Sequence, residues 1–413
     1  MRLTDEEKRM VDGEQGPAVR KSMEILVALG EIYGAERMVP VKSVHMPGSS
    51  IVVSGEAGAS FVREMSESVK SFAAFTTLNP SAIDRVCWQD LALRQEEVDP
   101  QLRLTEAYER MGAISCHTCT PYFIGNVPRL GEHIAWGESS AIAFANSVLG
   151  ARTNREGGPS ALGSAITGRA PAYGFHLDEN RLGQLLVEVD TPVQGFFDYG
   201  NLGYYVGTIA QEKIPVITGT PPNPTLDELK ILGAALASSG AVALYHVVGV
   251  TPEAHTVEQA IGNARPSATL KVGREELTQT AEKLSTAKTP TVDWVFFGCP
   301  HTSIQEFGEI AALLAGKRIH SGVDLWVSSS VAVKALADIM GYSATIEAAG
   351  ARIVCETCPV LALTGSIAER KGFNSITTNS AKMAHYMPGQ FNILSHYGTT
   401  AQCVRAAIRG RWE

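Results

Sequence analysis

Five of the seven cysteines sit in three short loops: Cys116-His117-Thr118-Cys119-Thr120-Pro121-Tyr122, Gly298-Cys299-Pro300-His301 and Cys355-Glu356-Thr357-Cys358-Pro359. Each loop joins a thiol to a nearby proline, which suits a tight connection better than a helix or strand interior. Soft thiolates select zinc, iron and iron–sulfur clusters, and ligands from separated loops converge readily on one centre. If three of them bind, one metal corner stays open to a substrate. That predicts an enzyme. The Cys-x-x-Cys spacing of Cys116/Cys119 and Cys355/Cys358 also allows a second class, a zinc-stapled structural subunit with four cysteine ligands. Cys87 and Cys403 lie in apolar or helical surroundings and read as small buried hydrophobes.

Other polar groups cluster near these thiols. His301 follows Cys299 by two residues and is the best placed of His117, His301, His385 and His396 to act as a general base. Glu138 and Ser139 precede an apolar helix, and Asn146, Arg152 and Asn154 follow it. The planar guanidinium of Arg152 suits a carboxylate or phosphate. The glycines after Arg155, like those of Pro47-Gly48-Ser49-Ser50, let backbone amides approach an anion. There is no Walker motif, GxGxxG fingerprint, GxSxG elbow or HExxH pair, which argues against a nucleotide enzyme, a serine hydrolase of that type and a zincin.

The elements that must position these groups are clearest in the last third. Val292 to Phe297 is a short apolar run ending at Gly298, the pattern of a buried strand. Ser303 to Ala315 has helical apolar spacing and stops at Gly316. Gly322 to Val327 reads as a second strand, Ser328 to Ser330 as the cap of a helix reaching Gly341, and Ala351 to Val354 as a third strand. This βαβαβ pattern predicts a parallel sheet covered by helices. Cys299 and Cys358 then lie past the carboxyl ends of strands, the edge where such sheets bind ligands.

In the middle, Thr225-Leu226-Asp227-Glu228 reads as a capping box opening a helix. Ala241 to Tyr245 reads as a buried strand. Thr251-Pro252-Glu253 reads as the start of a helix running to Ile261. The uncharged run from Ile231 to Val250 is long enough to span a bilayer, but Ser238-Ser239-Gly240 breaks it, so a helix, turn and strand are expected instead. Near the N-terminus a helix over Ala18 to Leu29 is expected to end at Gly30.

The bulk numbers set limits. The 413 residues are consistent with two or three domains, and 45% apolar against 19% charged residues allows a large core. The net charge of -8, with no Lys/Arg cluster, argues against a nucleic-acid surface. No signal-peptide pattern opens the chain and the cysteine usage is not that of a secreted scaffold, so a cytoplasmic protein without a membrane span is expected.

On several stretches the chain resembles the aconitase X family. They are Cys119-Thr-Pro-Tyr122, Gly131-Glu-His-Ile-Ala-Trp-Gly-Glu-Ser-Ser-Ala141, Asn146 to Pro159, His176 to Arg181, Gly298-Cys-Pro-His301, Thr357-Cys-Pro359 and Asn379-Ser-Ala-Lys382. The resemblance implies an aconitase-like core of α/β domains with mainly parallel sheets, and an iron–sulfur hydro-lyase. It implies Cys119, Cys299 and Cys358 as ligands of a four-iron, four-sulfur cluster; Cys116 and Cys355 fall outside the family's core pattern. It further implies a large subunit working with a separate small subunit, whose swivelling domain carries a serine base. Lobes are expected near 1–205, 206–290 and 291–413. Two substrates are implied within the family: 5-phosphomevalonate, dehydrated to trans-anhydromevalonate 5-phosphate, and cis-3-hydroxy-L-proline. The stretch Ser43 to Ser50 with Gly55-Glu-Ala-Gly58 leans to the first. His301 and Glu138 are the expected catalytic groups. Gly48, Ser49, Ser50, Ser139, Asn146, Arg152, Asn154 and Lys382 are the expected substrate contacts.

Overall fold

Strands form where runs of β-branched and aromatic residues are buried on both faces. Trp294–Phe297 is such a run, with all four residues buried. In the computed structural model, which describes residues 1–262 and 265–413, this strand is the centre of a five-stranded parallel sheet. The spatial order is Arg352–Cys355, Asp324–Ser329, Trp294–Phe297, Ser375–Thr378, Leu394–Tyr397. In chain order that is 3-2-1-4-5. The direction of winding therefore reverses between Trp294–Phe297 and Ser375–Thr378. The connecting helices open where the sequence marks them: Ser303 and Glu306 form a capping box on Ile304–Leu314, and Ser330 caps Val331–Ile339.

The N-terminal lobe holds a four-stranded parallel sheet in the order Ile114–His117, Phe75–Leu78, Ser43–Met46, Ala135–Trp136. Its winding reverses between the last two. A short antiparallel pair, Met38–Pro40 with Arg169–Pro171, lies beside it. The middle lobe holds a third parallel sheet, Ala268–Val272, Leu185–Val189, Pro215–Thr218, His246–Val247. The fold is thus α/β with mainly parallel sheets, as expected. The expected first lobe, 1–205, includes Leu185–Val189, which pairs within the middle sheet.

Three local expectations differ from what forms. Gly30 lies inside the helix Pro17–Ile32 instead of ending it. A Cβ there would meet Pro171 at 2.9 Å, so this glycine serves close packing and not termination. Ala241 to Tyr245 runs without strand pairing, and the strand is only His246–Val247. Thr251 does not start a helix; its hydroxyl accepts from the Val247 amide at 3.0 Å and closes a turn. The helix there is Val257–Ile261, capped by Thr256. No helix among the described residues is long and apolar enough to cross a membrane, and Ile231 to Val250 is divided between the helix Leu226–Ser239 and that short strand.

Candidate metal centre

The reversal points of the outer two sheets line one shared cavity. In the C-terminal sheet, Trp294–Phe297 runs into Gly298 and Cys299, and Ser375–Thr378 leads into the helix that carries Lys382. In the N-terminal sheet, Ser43–Met46 runs into Pro47, and Ala135–Trp136 into Gly137 and Glu138. Residues from all four positions line a cavity of about 290 Å³, with Cys119 and Cys358 from two further strand ends. Gly137 is required there, because any Cβ would collide with the ring of Pro47. Adjacent parallel strands whose connections go to opposite sides of the sheet open a crevice, and these crevices contribute to a single site.

Six of the residues singled out in the sequence meet in this cavity: Cys119, Glu138, Ser139, Cys299, Cys358 and Lys382. The three thiols are buried and free of disulfides. Burial pushes Cys119 well above the usual thiol range and Cys299 up to about 12, and raises Cys358, while the nearby Lys382 ammonium works the other way on all three. Such thiols hold their protons until a metal displaces them. Lys382 Nζ donates to Glu138 Oε1 at 2.7 Å and to Ser140 Oγ at 3.1 Å. Burial alone would raise Glu138, but the Lys382 charge and hydrogen bonds bring it down to about 2. Burial would likewise lower Lys382, and Glu138 with the thiols holds it above its usual value.

The donor set suits an iron–sulfur centre. Three soft sulfurs face a cavity that opens to solvent on one side, and the nearby Lys382 ammonium favours their ionised forms. Among the described residues no group of three His, Cys, Asp or Glu side chains is close enough to hold a single ion. The three thiols reach the cavity from three separate loops, the way cysteine ligands of an iron–sulfur cluster are presented. A four-cysteine zinc staple does not fit. Cys355 lines a different cavity, of about 540 Å³, beside Cys87 and Asp84. Asp84 fixes it there by accepting the amides of Cys355 at 2.6 Å and Cys87 at 3.1 Å. Cys116 faces backbone amides at the start of Val331–Ile339.

The expected site residues outside the six lie elsewhere, and Glu138 has a second task. His301 is fully buried and does not line the cavity; burial lowers its ring to about 4. Glu138 lines the cavity, but its Oε2 accepts the Ala141 amide at 2.6 Å and so caps the helix Ser139–Ser147. Arg152 forms an ion pair with Asp178. Asn154 bonds Tyr173 O at 3.0 Å and the Phe175 amide at 2.9 Å. Asn146 bonds Thr153 O and Ala243 O, each at 2.9 Å. Ser49 donates to Asn79 O at 2.6 Å, and Ser50 caps the next helix while donating to Leu361 O at 2.8 Å. Gly48 lines a neighbouring chamber of about 420 Å³ that shares Pro47 and Val53 with the cysteine cavity.

Family models for the aconitase X first, second and third domains match residues 1–179, 183–282 and 292–409. The chain belongs to the aconitase X family. It is 45% identical over 399 residues to the phosphomevalonate dehydratase large subunit of Methanothermobacter thermautotrophicus, covering 97% of each chain. It is 40% identical to the subunit of the same name from Methanosarcina mazei, covering 100% of this chain and 98% of that one. The cis-3-hydroxy-L-proline dehydratase of Pseudomonas aeruginosa is 38% identical over 99% of this chain but only 70% of its own length. The crystal structure of Thermococcus kodakaraensis aconitase X in its holo-form superposes with a TM-score of 0.88 at 40% identity, covering 98% of this chain and 100% of that one.

Within this aconitase X chain, the sequence reading missed several cavity residues. Asn79 and Pro80 follow the strand Phe75–Leu78, and Tyr386 and Gln390 lie one and two helical turns beyond Lys382. The i, i+4, i+8 spacing of Lys382, Tyr386 and Gln390 was the available signal.

Proposed function

We propose that this chain is the large subunit of an iron–sulfur hydro-lyase that removes water from 5-phosphomevalonate to give trans-anhydromevalonate 5-phosphate. The observation that carries the reading is the convergence of Cys119, Cys299, Cys358 and the Lys382 ammonium on one cavity. Relatives at 40–45% identity over nearly their full length that bear the phosphomevalonate dehydratase name supply the substrate. Cys119, Cys299 and Cys358 would hold the cluster. When bound, it supplies a Lewis acid that draws off the substrate hydroxyl.

The chain's own residues do the rest. Lys382 meets a substrate anion, with Ser139 beside it; its charge is held in place by Glu138. Glu138 stays ionised and paired across the neutral range, so its part is to orient Lys382 and not to take a proton. The proton on the carbon next to the departing hydroxyl needs another base. We assign it to the small subunit implied by the large-subunit names of the relatives. The test is co-expression with that subunit, anaerobic cluster reconstitution and turnover on both substrates. Loss of water from 5-phosphomevalonate with none from cis-3-hydroxy-L-proline is expected. Turnover of hydroxyproline alone would reverse the choice, and full activity of the isolated chain would place the base within these residues.

A further inference from the structure

His301 touches all three cysteine loops at once. It stands on the Cys299 loop, and its backbone amide donates to Cys119 Sγ at 3.2 Å. Its ring Nδ1 lies 3.0 Å from the hydroxyl of Thr118, on the Cys119 loop. Its ring Nε2 lies 3.2 Å from the carbonyl of Thr357, next to Cys358. A carbonyl only accepts, so Nε2 carries the hydrogen and Nδ1 accepts from Thr118. The Thr118 oxygen is then free to accept the Thr120 amide, 3.1 Å away. The Thr357 carbonyl also accepts from Ser328 Oγ. Both ring nitrogens are therefore spent, and no edge of the ring reaches the cavity.

A further set of charges anchors the backbone of this residue. Lys230, fully buried on the middle-lobe helix Leu226–Ser239, donates to the His301 carbonyl at 3.3 Å. It is held by Asp227 at 2.9 Å and by Glu306. Asp227 also accepts from Ser303 Oγ at 2.7 Å, two residues beyond His301. The middle lobe thus grips the Cys299 loop from behind.

We propose that His301 is a positioning residue, not an acid or base: its ring and amide set the mutual spacing of Cys119, Cys299 and Cys358, and Lys230 fixes His301 in turn. The inference rests on the reading of those thiols as cluster ligands. Groups that orient metal ligands from outside typically matter by about 10–100-fold in metal affinity when removed. His301→Leu removes both ring contacts while keeping bulk. Thr118→Val removes one hydroxyl and nearly no volume. His301→Gln retains a donor for the Thr357 carbonyl, and Lys230→Met tests the outer anchor.

Each full-length variant is reconstituted anaerobically. Iron and sulfide per chain, the rate of iron release to a chelator, and the electron paramagnetic resonance spectrum are then recorded. His301→Leu is expected to release iron at least about tenfold faster, with a changed spectrum. Thr118→Val and Lys230→Met should move the same way by less, and His301→Gln should recover part of the loss. Wild-type iron retention and spectrum in both His301→Leu and Thr118→Val would overturn the proposal. So would a lost limb in the pH–rate profile of His301→Gln at unchanged iron content, the mark of an acid or base. If His301→Leu fails to fold, Thr118→Val decides.

A metal-free arm separates this idea from the cluster reading. A bifunctional bimane that fluoresces only on bridging two thiols is applied to the apoprotein, with Cys299→Ser as the control for which thiols react. Reduced bridging in Thr118→Val supports the spacing role even if the wild type takes up no cluster. Equal bridging in wild type, His301→Leu and Thr118→Val overturns it even if the cluster reading stands.

Discussion

The first and middle lobes wind their sheets alike. In each, three successive strands step outward and a fourth returns to pair with the first. The reversal therefore falls between Ser43–Met46 and Ala135–Trp136 in one, and between Leu185–Val189 and Ala268–Val272 in the other. The first reversal opens into the cysteine cavity through Pro47, Gly137 and Glu138. The second does not reach that cavity; there the Asp190 amide simply continues the strand pairing by donating to Val272 O at 2.8 Å. No described residue of the middle lobe lines the cysteine cavity. Winding offers a crevice, and the side chains and turns at the strand ends decide whether it becomes a site. The middle lobe contributes instead through packing and through Lys230.

The contrast is broken most severely by serine substitutions in the outer lobes. Cys119→Ser, Cys299→Ser and Cys358→Ser should each abolish cluster retention, since a hydroxyl is a poor substitute for a thiolate on iron. Cys355→Ser and Cys116→Ser should leave iron and sulfide content near wild type, because those thiols face other surroundings. Full iron in Cys299→Ser would remove the outer lobes' claim to the site.

Next in size is the ion pair at the cavity. Lys382→Ala leaves Glu138 buried without its cation, a loss of about 3–5 kcal/mol. Denaturant unfolding should show it, and Glu138→Gln in the same background should restore part of it by removing the stranded charge. An unchanged midpoint in Lys382→Ala would mean that the two charges are not paired in solution.

Middle-lobe packing away from Lys230 should respond in stability alone. Gly203, on the helix Gly195–Ala210, would place a Cβ 2.5 Å from Leu232 O on the neighbouring helix. Gly203→Ala should destabilise by about 1–3 kcal/mol through forced separation of the helices. Folded protein should keep its iron content. A lower iron content at full folding would show that helix separation reaches His301 through Lys230, and would narrow the contrast between the lobes.

The sequence made the outer lobe legible where chemistry and local pattern coincide. Cys299 and Cys358 follow short strand-like runs that alternate with helical patterns, so their place at a sheet edge was readable. Lys382 lies in Asn379-Ser-Ala-Lys382, one of the stretches that resemble the aconitase X family. Lys230 was not legible. A lysine in an apolar helix reads as a surface position until Asp227, Glu306 and the His301 carbonyl close around it, and two of those partners come from another lobe. The pairing of Asp84 with both Cys87 and Cys355, which separates the two halves of the second Cys-x-x-Cys, joins segments far apart in the chain. The surroundings of His301 were hidden for the same reason. A histidine two residues from a cysteine suggests acid–base work, and only the positions of Thr118 and Thr357 show both nitrogens engaged.

The smallest effect is expected at Arg152. A guanidinium beside glycines suggests an anion clamp, which would put Arg152→Ala at about 2–3 kcal/mol in kcat/KM. The structure gives it another partner. Arg152 pairs with Asp178, whose side chain is 80% exposed. An ion pair open to water on one side contributes no more than about 1 kcal/mol, because solvent screens the attraction. Neither residue lines the cysteine cavity. Arg152→Ala should therefore cost less than about 1 kcal/mol in stability, fading further at high salt, with kcat/KM on 5-phosphomevalonate unchanged. Urea unfolding at two ionic strengths and steady-state kinetics of the reconstituted complex measure both. A tenfold drop in kcat/KM at unchanged stability would return Arg152 to the substrate. It would also mean that the site extends past the two facing sheet edges, along the wall formed by the segment after Asn146.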